Sequence, residues 1–312
     1  MTRRTSVLLA VLANAIVLAC ALWLLGGGCR SWADDRTSEE LPFGLERLRE
    51  LHRPLGAPMP GDWLARYRER GQTWRQWRAS SPVTPTGERQ VLYIQPIGAF
   101  TPDERRIVEL TVDFLARYFD RPARLLDDLP DERIPARARR VHPEWNTPQV
   151  LTTYVLDDVL KPALPDDAAT LIAFTASDLW PGDGWNFVFG QASLRDRVGV
   201  WSIHRNGDPT ASDAAFRLCL LRTIKTATHE TGHMLSIAHC TAYECNMCGS
   251  NHRAESDRHP LACCPECVAK ICDATGADPA ARFERLAAFC ARHGLEHERA
   301  FYGASLRALR AN

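Results

Sequence analysis

The chain has 312 residues, 45% of them hydrophobic, and its 38 basic and 38 acidic side chains leave no formal net charge. That length and apolar content suffice for a full core in one or two domains. The even charge balance excludes the basic footprint of a nucleic-acid-binding protein.

Arg3 and Arg4 precede residues 7–25, an apolar run in which Asn14 is the one strongly polar member. As a helix this run would reach about 28 Å, close to the thickness of a bilayer core. Residues 1–33 therefore read as a signal peptide or an N-terminal membrane anchor. Ser31-Trp32-Ala33 offers a small-x-small cleavage site, and Cys20 or Cys29 could carry lipid. With the arginines retained inside, the remainder of an exported or anchored chain lies outside the cytoplasm. A buried helix is disfavoured by the missing polar face; a cytoplasmic location is the alternative.

Residues 34–87 read as a tether followed by an irregular arm, since glycine, proline and scattered charges interrupt every periodic pattern. Within it, Trp63, Trp74 and Trp77 stand among Arg66, Arg68, Arg70, Arg75 and Arg78. Such a set can form a ligand platform, but aromatics packed beneath an arginine-rich face are the commoner arrangement. Pro82 and Pro85 mark the boundary to the domain spanning 88–312.

Residues 90–97 predict a strand, and Thr101-Pro102-Asp103-Glu104 a helix start with an N-cap, a first-turn proline and acids on the positive dipole end. Ile107, Leu110, Phe114 and Tyr118 keep helical spacing. A second helix is expected over 149–160 and a buried strand over 170–174, so β and α alternate in an α/β layer. Residues 185–192 alternate large apolar and smaller side chains as an edge strand would, and 198–203 read as a further strand. Ser212-Asp213 caps a long helix over 214–235, with Phe216, Leu220, Ile224 and Ala227 toward the core.

That helix delivers the chain's strongest signal. His229, Glu230 and His233 form H-E-x-x-H, and His239 follows six residues later. Residues four apart share a helix face, so His229 and His233 can aim at one ion, while Glu230 sits about 100° round the axis within reach of a metal-bound water. The chain must turn after about Leu235 to bring in His239, and at the turn stands Ser236 where such a motif expects glycine. A residue with a Cβ costs roughly 1 kcal/mol or more there. Downstream come Cys240, Cys245, Met247, and then the pair Cys264-Pro-Glu-Cys267. Four thiolates make a closed tetrahedral zinc site, and C-x4-C followed by C-x-x-C is close to the pairings such sites use. Cys248 and Cys263 lie beside them, and two disulfides are the alternative in an oxidising compartment.

Helices are expected over 265–272, 279–293 with Gly294 as stop, and 297–309. His293 and His297 have i,i+4 spacing, but their charged surroundings argue against a metal site. Cys219, Cys272 and Cys290 carry no assignable role.

The succession from His229 to Cys267 resembles the archaemetzincin family of metzincin zinc peptidases. The resemblance implies an α/β (α+β) metzincin-like zincin, with a mixed-sheet upper subdomain over the active-site helix and a helical lower subdomain. It implies two zinc ions: a catalytic one on His229, His233 and His239 with Glu230 as base, and a structural one on Cys240, Cys245, Cys264 and Cys267. Met247 matches the methionine whose turn floors the catalytic site, and the edge strand at 185–192 is the candidate for pairing with extended substrate. A similar GDWL and GQT passage, here Gly61–Leu64 and Gly71–Thr73, precedes the catalytic core in that family. The function implied is a zinc-dependent metallopeptidase acting on a peptide or protein substrate, with an aminopeptidase-like preference for short peptides. The competing reading is a catalytically silent, zinc-stabilised binding or scaffolding protein, for which Ser236 is the best argument. A zinc-ribbon nucleic-acid module is remote, given the charge balance.

Overall fold

The computed structural model describes residues 41–311; the apolar run at 7–25, with its cleavage and lipidation candidates, lies outside them. Among the described residues no helix is long and apolar enough to cross a membrane.

Two segments without a polar face set the centre of the fold. β1 (Val91–Ile97) and β5 (Ala168–Thr175) are buried along their whole length, as strands covered on both faces must be. They pair parallel in a five-stranded sheet of order β2-β1-β5-β8-β7. β2 (Ala123–Leu125) and β8 (Val198–Ser202) extend it in parallel, and β7 (Gly190–Ala192) closes one edge antiparallel to β8. A second sheet of three strands has the order β3-β4-β6, from β3 (Arg139–Val141), β4 (Pro148–Leu151) and β6 (Asp178–Trp180). Val91, Tyr93, Leu171, Ala173, Val198 and Val200 form one core cluster with Val155, Val159 and Leu160. The alternate residues Leu92, Ile94, Ile172, Phe174 and Trp201 are buried on the opposite face.

Apart from a helical stretch that begins at Thr152, the α-helices are α1 (Trp63–Arg66) and α2 (Trp74–Ala79) in the arm, α3 (Pro102–Phe119), α4 (Asp213–Met234), α5 (Arg253–Arg258), α6 (Pro265–Thr275), α7 (Pro279–Arg292) and α8 (Glu296–Arg310). α3 begins where the sequence predicts, in a capping box in which Thr101 accepts from the Glu104 amide and the Glu104 carboxylate accepts from the Thr101 amide. α4 is capped by Ser212, whose side chain accepts from the Ala215 amide, and its Leu220, Ile224 and Ala227 are buried. Phe216 is only partly buried, beneath the Arg106 guanidinium 4.9 Å from its ring.

Two expectations need correction. Residues 149–160 are not one helix: Pro148–Leu151 pair with β3 and β6, and helix starts only at Thr152. Ladders on both sides of β4, with Gln149 Nε2 donating to Asp178 Oδ2 at 2.7 Å, outweigh the helical spacing. In the stretch 185–192 only Gly190–Ala192 pair with β8, while Val188 bridges to Leu179.

From residue 41 the N-terminal arm is built into the same compact unit as the rest. Its backbone exchanges hydrogen bonds with the segment after α4: the Leu55 amide donates to the Ala242 carbonyl at 3.0 Å, and the Glu244 amide to the Arg53 carbonyl at 2.9 Å. Trp77 is fully buried with Nε1 donating to the Leu235 carbonyl at 2.9 Å, and Trp74 Nε1 donates to Asp273 at 2.8 Å. Those two tryptophans take the commoner, packed arrangement. Trp63 instead lines a cleft.

Candidate metal centre and active site

α4 ends at Met234, so His229 and His233 leave its last turns from one face. Their rings are locked from behind. His229 Nδ1 lies 2.7 Å from the Asn246 carbonyl, His233 Nδ1 2.7 Å from the Ile237 carbonyl, and His239 Nδ1 3.0 Å from both oxygens of Glu69. An acceptor against every Nδ1 requires the proton there, which leaves each Nε2 with its lone pair. Burial pushes the His229 ring down to about 3 and holds His233 well below the usual range, so both are neutral at pH 7. One nitrogen from each of the three histidines lies within 4.8 Å of the others, and the Nε2 atoms of His229 and His233 are 3.0 Å apart. Lone pairs at that separation repel unless a cation lies between them. The donor set fits a tetrahedral ion with one open position.

Glu230 also lines the cleft, and burial pushes its carboxyl up to about 8. Gly190 of β7 passes directly over it: a Cβ there would stand 2.7 Å from Glu230 Oε1. The carboxyl is therefore wedged between helix and edge strand. Beneath the imidazoles, a Cβ on Gly232 would meet Met247 Sδ at 2.7 Å, and Met247 is fully buried there.

The thiols of Cys240, Cys245, Cys264 and Cys267 form a second cluster, all four sulfurs within 4.8 Å of one another and buried. The Cys264 amide points at Cys245 Sγ, 3.2 Å away, as amides around thiolate sites do. The two neighbouring cysteines border the cluster, Cys248 beside Cys240 and Cys263 beside Cys245, and have partners outside it: Cys248 donates to the Tyr243 carbonyl at 3.2 Å, and Cys263 Sγ lies 3.1 Å from the Tyr118 hydroxyl. All six thiols are free. The clusters are joined by short links, since the Cys240 amide donates to the Met247 carbonyl at 2.8 Å while Asn246 between them braces His229.

Ser236 takes the left-handed turn that glycine would take, with φ of 61°. Its hydroxyl donates to the Leu194 carbonyl at 2.7 Å and accepts from the Val83 amide at 3.0 Å, and its carbonyl accepts from Gln72 Nε2 at 3.2 Å. The arm thus secures the turn. Gln72 and Trp63 fall in the GQT and GDWL passages, but Glu69 was not legible, because an acid 170 residues from its histidine leaves no spacing to read.

A third cluster, Asp62, His252 and Glu255, has both its carboxylates engaged by the protein. Asp62 is paired with Arg258 at 2.7 Å and accepts from the Met59 amide at 2.8 Å, while Glu255 accepts from the Trp63 amide at 2.9 Å and the Asn251 amide at 2.6 Å. It is a clamp that fixes the arm. His297 is 83% exposed and belongs to no cluster among the described residues. The cleft itself measures about 360 Å³ and is walled by Trp63, Trp185, Phe187 and Phe189, with Trp63 edge-on to His239 at 5.1 Å.

An H-E-x-x-H helix beneath an antiparallel edge strand, a third imidazole brought in by a turn and a methionine floor define a zincin-like zinc metallopeptidase of the metzincin kind. The sequence model of peptidase family M54 matches residues 154–273. Archaemetzincin-2 of Macaca fascicularis is 33% identical over 289 residues, covering 80% of this chain and 79% of its own, and archaemetzincin-2 of Homo sapiens gives the same values. The crystal structure of archaemetzincin from Methanopyrus kandleri superposes with a TM-score of 0.50 at 25% identity, over 62% of this chain and 99% of its own. The chain belongs to the archaemetzincins, peptidase family M54.

Replacing Ser236 by alanine keeps the strained φ and removes both hydroxyl hydrogen bonds, a loss of about 1–3 kcal/mol. Glycine loses the same bonds but relieves about 1 kcal/mol of strain. Denaturant unfolding of the two variants is expected to rank alanine below glycine and glycine at or below wild type.

Proposed function

We propose that the protein hydrolyses peptide bonds at the imidazole trio and carries two zinc ions per chain. His229, His233 and His239 hold the catalytic ion; Cys240, Cys245, Cys264 and Cys267 hold the structural one. The observation that carries this reading is the convergence of three Nε2 atoms, each with its Nδ1 proton already assigned to an acceptor. Held by these three imidazoles, zinc would supply Lewis acidity toward a scissile carbonyl and an attacking water.

The chain's residues account for the remaining steps. As a carboxylate Glu230, whose affinity for a proton burial raises, can take one from the attacking water and pass it to the leaving amine. β7 ends the five-stranded sheet beside it and presents a backbone edge to an extended peptide. A cleft of about 360 Å³ is of a size for a short peptide, and the aminopeptidase-like preference rests on the family resemblance. The silent-scaffold alternative loses its main argument, because Ser236 keeps the turn and Glu230 and all three imidazoles are in place.

Glu230→Gln is expected to lower peptide hydrolysis by about 10²–10⁴-fold while elemental analysis still finds two zinc atoms per chain; full activity would remove Glu230 as the base. Glu69→Ala should weaken the first zinc lost to a chelator by about 10–100-fold and leave the sulfur-bound ion unchanged, as expected for the partner that orients a ligating imidazole. An export or anchoring role for residues 7–25 is supported by the sequence run alone. It predicts that external protease digests the chain on intact cells, and protection would argue for the cytoplasmic alternative.

A further inference from the structure

Lys225 lies on α4 one turn before His229 and on the same face, and it lines the same cleft. It is 7% exposed. Its Nζ donates to the Ser256 and His259 carbonyls, each at 2.5 Å, which leaves one N–H of the ammonium without a protein partner. No carboxylate pairs with it among the described residues. Asp257 is engaged by Arg222 at 3.0 and 2.6 Å, and Glu298 acts on Lys225 only at longer range. Arg253, stacked 4.0 Å over Phe189 of the cleft wall, adds a second positive charge nearby.

Two backbone carbonyls could be bridged by a neutral donor. A buried ammonium without a counter-charge is a costly way to do it. The cost is visible in the side chain itself, since burial pushes Lys225 down to about 8, where it is still charged at neutral pH.

Beside it, His259 Nε2 is buried with no hydrogen-bond partner, and His259 too lines the cleft. Burial and the adjacent Lys225 push that ring down to about 4, so it is neutral and can carry its one proton on Nε2 as a donor. A cation and a neutral donor, both short of a partner, thus belong to residues that line the same cleft, as Ser250, Asn251 and Ser256 do.

We infer that the cleft receives a substrate carboxylate on Lys225 Nζ and His259 Nε2, about one side-chain length from the scissile bond. Four residues of helical rise, about 6 Å, separate the Lys225 and His229 positions, which suits an acidic side chain next to the cleaved bond or the free C-terminus of a short peptide. The inference rests on the peptidase reading above.

The test uses the zinc-loaded full chain with two sets of peptides. One set is C-terminally amidated and carries Glu or Gln at each position flanking the cleavage site; the other compares free-acid and amidated ends on the same short neutral sequence. The expected result is a kcat/KM about tenfold or more higher for the carboxylate member of one set, and the set that shows it identifies the source. In Lys225→Gln, whose amide can still donate to both carbonyls, the preference should fall to about threefold or less. In His259→Phe it should fall by about threefold, a check that stands even if the lysine variant does not fold. Equal rates for acid and neutral members in both sets would overturn the inference, as would a preference that survives both substitutions. If no peptide is cleaved, the hydrolytic reading fails by itself, and calorimetric titration of Glu230→Gln with the same pairs decides the carboxylate question. Tighter binding of the acid member supports the site; equal binding overturns it.

Discussion

Two imidazole nitrogens that both carry lone pairs are held 3.0 Å apart, and the chain spends much of its structure keeping them there. The restraint comes from acceptors behind each ring, supplied by different pieces of chain: the Ile237 carbonyl at the turn, the Asn246 carbonyl beside the methionine floor, and the Glu69 carboxylate of the arm. None of these acceptors lies on α4. The helix sets the spacing of His229 and His233, but their protons are placed by carbonyls of the chain that follows it. Burial would by itself raise the Glu69 carboxyl; the hydrogen bond to His239 and the smaller contributions of its other neighbours together outweigh it and hold the group below the ordinary range. The carboxylate is thus kept charged behind the one ligand that the helix does not carry.

The same closure ties the sulfur cluster to the imidazoles. Cys240 follows His239 directly and its amide is fixed on the Met247 carbonyl, while Asn246 donates from its side chain to Thr228 at 2.7 Å and offers its carbonyl to His229. Gly232 leaves the space that the Met247 sulfur fills. An ion on the four thiolates would therefore brace Cys240 and Cys245, and with them the backbone on both sides of Asn246. Folding and metal binding are one process in such an arrangement.

What could be read from the sequence was whatever local spacing encodes. H-E-x-x-H on one helix, a turn after Leu235, the capping box at Thr101 and the paired cysteines are short-range patterns, and each stands where its spacing required. Residues 149–160 misled because Val150 and Leu151 fit a helical face as well as a strand, and pairing on both sides of β4 decided between them. The arm was opaque for a different reason. Its contacts with the turn bridge 153 to 170 residues, through Val83, Trp77, Gln72 and Glu69, and no periodicity links them. Lys225 shows the same limit: in sequence it is one lysine on a helix, and only the fold reveals that it lacks a counter-charge.

The serine at 236 connects these points. A left-handed residue with a Cβ is tolerated when its surroundings over-determine it, and here they do: the hydroxyl bridges the arm to the Leu194 carbonyl beyond β7, and the carbonyl is taken by Gln72. Gln72 also accepts from the Ala238 amide at 3.1 Å, one residue before the third imidazole, and its own carbonyl receives the buried Lys270 of α6. The turn is therefore not held by backbone preference alone. Glycine would make the turn locally easy; serine makes it dependent on the arm, and the arm in turn delivers Glu69 to His239 and Trp63 to the cleft wall. The residue that departs from the motif is thus the point at which the N-terminal arm becomes part of the active site.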